Sequence, residues 1–268
     1  MRSIAIIAGG VFRDSIRDRI GYGLVFFSIM LMASSFLLAQ LTAGQDVKII
    51  KDLGLAAASG IGLFIATFFG IGLVTKEVER RSIYSVLSKP VTRTQFVIGK
   101  YLGLVLTLLI NLSIMVAAFY AVLWYLDLTT VSSAKTAWEA PAMDPQMLKA
   151  FALIGVELML ITATAIFFST FSSPFLSVAL TFAVYVVGHF GEDLKNLNSI
   201  VKSMVLPFVA KGVYYVMPNL SALDVKSAVV HGLPVSGTSM LLATGSCLLY
   251  IATLLVGSVL IFSRRDLK

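Results

Sequence analysis

"LGLAAASGIGLFIATFFGIGLVTKEVERRSIYSVLSKPVTRTQFVIGK", residues 53–100, changes character at its midpoint. Residues 53–75 carry no charge, whereas residues 76–100 carry eight charged side chains. A run of about 20 apolar residues is what an α-helix needs to cross about 30 Å of hydrocarbon. Lipid supplies no partner for an open backbone hydrogen bond, so such a run has to be helical. The first half therefore predicts a membrane-spanning helix, and the second asks why so many charges gather at its end.

The rest of the chain repeats the first half. Its 268 residues are 58% hydrophobic and only 13% charged, with a mean hydropathy of +0.92. A soluble domain could not cover that much apolar surface with so few charges. Six runs are long enough to cross: 20–42, 53–75, 101–126, 150–171, 173–190 and 239–263. Only Ser172, Ser173 and Pro174 separate the fourth from the fifth, which predicts a tight helical hairpin. The runs show no alternation of period two, so a β-barrel is excluded. The expected fold class is an all-α integral membrane protein, with residues 1–268 forming one transmembrane domain.

Six spans put both termini on one side, and Lys and Arg say which. The N-terminal segment, residues 76–100 and the C-terminal tail hold thirteen of these residues; the opposite side holds eight. Both termini and residues 76–100 are therefore expected in the cytoplasm. The basic excess reads as orientation and contact with anionic lipid, not as a nucleic-acid footprint. Arg13, Asp14, Arg17, Asp18 and Arg19 directly precede the first span, which argues against a cleavable signal peptide. Residues 1–19 predict an interfacial helix, with Ile4, Ala5, Ala8, Val11, Phe12, Ile16 and Ile20 on one half, Ser3, Arg13, Asp14, Arg17 and Asp18 on the other, and Ile6, Ile7 and Arg19 as exceptions. Gly9-Gly10 is expected to bend it. On the outer side, 127–149 looks like an ordinary connector. Residues 191–238 are too apolar for a solvated loop, and Pro207 and Pro218 break them. They predict short helices dipping into the outer leaflet.

Residues 77–87 are good helix formers, so the second span should continue into the cytoplasm. It should stop at Ser88-Lys89-Pro90, since a residue before proline avoids helical angles. Thr92 and Gln95 form a capping box, which starts the next helix at once. The result is a rigid elbow carrying Glu77 and Glu79 beside Lys76, Arg80 and Arg81. Orientation needs only Lys and Arg, so the glutamates point to a protein partner.

The runs E-x-E-R-R-S-I, L-S-K-P-V-T-R and F-V-I-G-K in this elbow resemble the cytoplasmic segment of type-2 ABC transporter permeases. The matching positions are Glu77, Glu79, Ser82, Leu87, Ser88, Pro90, Val91, Arg93, Phe96, Gly99 and Lys100. "YYVMPNLSALDV" (214–225) and "FSRRDL" (262–267) are similar to the bacterial small six-span subgroup. The resemblance implies a permease of the bacterial cytoplasmic (inner) membrane. It would dimerise with a second copy or close paralogue and sit on two ABC ATPase subunits. Glu77, Glu79, Arg80, Arg81, Ser82, Leu87, Pro90 and Arg93 would couple it to those subunits. ATP and Mg would bind the ATPase, leaving this chain without cofactor or catalytic site. Its substrate would be exported or flipped between the two permeases.

The residues agree that the motor lies elsewhere. The only Gly-Lys pair, Gly99-Lys100, precedes Tyr101, and a P-loop would need glycine where Thr94 stands. His189 and His231 look solitary, and no catalytic or metal-ligating constellation stands out. Cys247 is the only cysteine, which excludes an intrachain disulfide. Glu157 is the one carboxylate clearly inside a span, where an unpaired charge costs several kcal/mol. It is either a substrate contact or a structural hydrogen-bonding group, with no Lys or Arg evident in its layer. Two other functions compete with export. A secondary transporter would show inverted repeats and paired broken helices, and no repeat is found here. A non-transporting membrane subunit, passing ATPase motion to an outer-side partner, would use the same elbow.

Overall fold

The computed structural model describes residues 2–39, 46–79, 92–130, 135, 138, 140–191, 212, 214 and 217–264. Every regular element among them is helical. In chain order these are α1 (Arg2–Ile16), α2 (Arg19–Ala39), α3 (Asp46–Glu79), α4 (Arg93–Thr129), α5 (Met147–Ser169) and α6 (Pro174–His189). A 3-10 turn (Ser221–Leu223), the short α7 (Lys226–Val230) and the last helix, α8 (Gly237–Arg264), follow. Among the described residues, α3, α4, α5 and α8 are long and apolar enough to cross a membrane. Gly21–Ser35 in α2, and α6, are shorter apolar helices.

The helix lengths position everything else. At 1.5 Å per residue the 37 residues of α4 reach about 55 Å, so α4 overshoots the hydrocarbon. The second-span helix also continues past its apolar run, reaching Glu79. The elbow expected over residues 76–92 falls mostly on residues 80–91, which lie outside the described residues. By contrast, the 16 residues of α6 reach only about 24 Å, so α6 ends short of one surface.

α3 and α5 form the centre, with Leu55, Ala58, Leu153, Leu160, Ile161 and Ala163 all fully buried. Phe119 of α4 wedges between them, its ring 5.2 Å from that of Phe151. α8 lies at the edge and turns Leu241, Leu242, Leu249 and Val256 outward. Acyl chains are as apolar as leucine, so this outward face costs nothing in a bilayer. The turn between α5 and α6 is tight, as Ser172-Ser173-Pro174 predicts. Pro174 sits in the first turn of α6, and the Ser172 and Ser177 hydroxyls are 2.6 Å apart across the connection.

The N-terminal helix is continuous through Gly9-Gly10, and nothing outside it lies within 4 Å of a Cβ built at either residue. It also does more than lie against lipid. Val11 and Ser15 are buried, and α1 seats on the first turns of α4. A methyl group on Gly103 would lie 2.7 Å from the Ala8 carbonyl oxygen and from Val11 Cβ. One on Gly99 would lie 2.9 Å from Ile7 Cβ. Gly99 and Gly103, one turn apart, let the two backbones touch, the close approach that small residues give membrane helices.

Candidate functional site

Each end of the bundle gathers chemistry-bearing residues. At the elbow end, α4 opens with the capping box expected from Thr92 and Gln95. The Gln95 amide donates to Thr92 Oγ1, and the Thr92 amide to Gln95 Oε1, both at 3.3 Å. This fixes Arg93 in the first turn. Its Nη1 donates to the Phe262 carbonyl at 2.7 Å and to the Ser263 carbonyl at 2.9 Å.

Those carbonyls belong to the last turn of α8, where helix geometry leaves the oxygens without intrahelical donors. A cation there satisfies them and complements the negative end of the helix dipole. The Arg93 guanidinium also sits 6.0 Å over the Phe262 ring. Phe262 stacks on Phe96 at 5.8 Å, and Lys100 Nζ lies 4.5 Å from the Phe96 centroid. The start of α4 thus clamps the end of α8, while Gly99 and Gly103 clamp α1. Of the residues expected to couple to an ATPase, Arg93 is seen in this staple. Glu77 and Glu79 stand in the last turns of α3, where only the backbone is described. Arg80, Arg81, Ser82, Leu87 and Pro90 lie outside the described residues.

At the opposite end, the sequence leaves Glu157 and His189 each alone, and the fold overturns this. Glu157 stands about 15 Å along α5 from its start and is 2% exposed. The hairpin folds α6 back along α5, and His189 Nε2 at its end lies 3.4 Å from Glu157 Oε1. The pair is close but falls outside hydrogen-bond geometry, and neither atom has another hydrogen-bond partner. On its far side, the His189 ring has Nδ1 3.0 Å from the Tyr185 carbonyl and packs on the Tyr185 ring at 4.4 Å.

Residues 217–230 fill the space above the shortened α6. The Leu220 amide donates to the Gly188 carbonyl at 3.0 Å, supplying one donor that the helix end lacks. Gly188 permits this approach: a Cβ there would lie 2.8 Å from Leu220 Cγ and 2.9 Å from the Pro218 carbonyl. Leu220, Leu223, Val229 and Val230 are buried. Lys226 Nζ reaches across to Ser59 Oγ on α3 at 3.2 Å and to Asp224 Oδ1 at 3.7 Å. Lys226 and Asp224 thus bring one charge of each sign to the neighbourhood of Glu157.

The 127–149 connector is also more than a link. Fully buried Lys51 donates to the Pro141 carbonyl at 2.8 Å, and Tyr120 Oη to the Asp144 carbonyl at 3.1 Å. Lys149 Nζ bonds the Val235 carbonyl at 3.3 Å, just ahead of α8. Among the described residues, no three His, Cys, Asp or Glu side chains come together as a metal site.

The chain matches the family described as ABC-2 family transporter protein over residues 5–267, and it belongs to that family. No curated protein sequence matches it. It is a permease subunit of an ABC transporter and a multi-pass membrane protein. Membership also implies an ABC ATPase subunit as its partner.

Proposed function

We propose, taking ABC-2 membership as the premise, that this permease drives export or flipping of a substrate across a bacterial inner membrane. Two copies, or a copy and a close paralogue, pair within the bilayer on two ATPase subunits. Each copy has six spans with both termini in the cytoplasm, as the excess of Lys and Arg on that side supports. The elbow of residues 76–100 rests on the ATPase. Glu77, Glu79, Arg80 and Arg81 fix the register of that contact, since charged pairs give specificity more than affinity. ATP and Mg stay on the partner.

The Arg93 staple carries this proposal. A push delivered to the elbow reaches Arg93 at the root of α4, and Arg93 holds the last turn of α8 by two hydrogen bonds. Gly99 and Gly103 bring α1 along. Movement at one loop therefore becomes movement of three helices.

The test is the double reversal Glu79→Lys with Arg80→Glu in the reconstituted complex. The ATPase should dissociate, or hydrolysis should continue without substrate movement, while the permease still inserts and pairs. Unchanged complex formation together with unchanged transport would reduce the segment to an orientation signal.

A further inference from the structure

We propose that Glu157 and His189 form a proton-binding site that controls closure of residues 217–230 over the end of α6. The side on which that closure falls rests on the proposed orientation, but the site itself does not.

The assignment follows from donors and acceptors. A backbone carbonyl only accepts, so the 3.0 Å contact to the Tyr185 oxygen puts a hydrogen on His189 Nδ1. A neutral imidazole carries one hydrogen, so Nε2 would then be a bare lone pair. That lone pair would lie 3.4 Å from Glu157 Oε1. If the carboxylate were also bare, two acceptors would confront each other inside the bundle, where no other hydrogen-bond partner relieves either atom. The contact is attractive only when one further proton sits on Nε2 or on Oε1. The pair is therefore a site for that proton. His189 is 21% exposed against 2% for Glu157, so the histidine is the more accessible member of the pair.

Other groups face the pair from every neighbouring element. Ser59 comes from α3, Tyr185 from α6, Asp224 and Lys226 from the covering segment, and Cys247 from α8. Lys226 and Asp224 belong to the cover, and Leu220 is bonded to Gly188, next to His189. With the proton present, the pair holds the end of α6 against α5, and the cover keeps its seat. With the proton gone, the two acceptors push apart, and α6 carries the seat of Leu220 away. Low pH closes this end and high pH opens it.

The test reads the cover directly in the full chain. Leu223 is buried and Ala222, beside it, is exposed. Each is changed to cysteine in a Cys247→Ala background, in permeabilised membranes so that orientation does not enter. The labelling rate of Leu223→Cys, divided by that of Ala222→Cys, should rise roughly tenfold between about pH 5 and pH 8. Glu157→Gln offers an amide N–H to the bare Nε2, so it should hold the cover shut and abolish the rise. Lys226→Met should keep the rise. A flat ratio in the unsubstituted pair, or an unchanged rise in Glu157→Gln, overturns the proposal. Nitrogen NMR gives a second measurement that needs no substitution at the pair. The chain has two histidines, so His231→Gln leaves only the ring in question. A hydrogen on Nδ1 throughout the titration is expected, and a bare Nδ1 would end the assignment. Neither readout involves the ATPase, so failure of coupling at the elbow would leave both intact.

Discussion

The start of α4 in this permease is held by packing and directional hydrogen bonds, whereas the Glu157 end sets ionisable groups inside an apolar cover. At the elbow, glycines close the distance between α1 and α4, aromatic rings stack, and one arginine satisfies two helix-terminal carbonyls. None of these depends on a proton that comes and goes in the neutral range. At the opposite end, the carboxylate, imidazole and ammonium groups of Glu157, His189 and Lys226 sit among buried leucines and valines. A contact made by packing resists bending and transmits force. One made by buried charges holds strongly while its partners are present and fails abruptly when one is removed. The stiff end suits transmission, and the charged end suits release.

Three substitutions would sharpen or break that contrast. The largest effect should come from Glu157→Lys, which buries an ammonium against the His189 ring and near Lys226. Breaking a buried pair while leaving the partner charge uncompensated costs about 3–5 kcal/mol. The purified protein should melt far lower than Glu157→Gln, and equal melting of the two would show that the charged end is not held by charge. A smaller loss is expected for Arg93→Ala. Hydrogen bonds to charged groups are worth about 1.5–3 kcal/mol, and proteolysis near the end of α8 should rise with the frayed last turn. Arg93→Lys should restore little, because an ammonium lacks the planar fork that reaches two carbonyls together. The smallest effect belongs to Lys135→Ala. Its 2.7 Å pair with Asp127 is 33% and 41% exposed, and such pairs contribute about 0–1 kcal/mol. Melting and transport should both stay as they were.

What the sequence makes legible follows from range. Hydrophobic runs, proline stops and the Thr92–Gln95 cap are local, and each is visible in a few consecutive residues. The Gly99–Gly103 spacing is equally local, since two small residues one turn apart are themselves a signal of close helix contact. The staple is not. Arg93 and Phe262 are 169 residues apart, and nothing near either one indicates the other. The same holds for Lys226 and Ser59, separated by 167 residues. In the sequence, His189 is a solitary histidine at a helix end. It meets Glu157 because the tight turn folds α6 back along α5, and that pairing across the hairpin is not contained in any short sequence window.

The shortness of α6 has a consequence for the lipid around the protein. An apolar helix of about 24 Å in hydrocarbon of about 30 Å is mismatched, and bilayers meet mismatch by thinning locally at a fraction of a kcal/mol per Å. Residues 217–230 fill part of that missing depth above His189, so the mismatch falls on the lipid-facing side of α6. Membrane thickness thereby becomes a variable of the protein. A thin bilayer relieves the strain and wets the end of α6, and a thick one presses acyl chains against the Pro218–Leu223 cover.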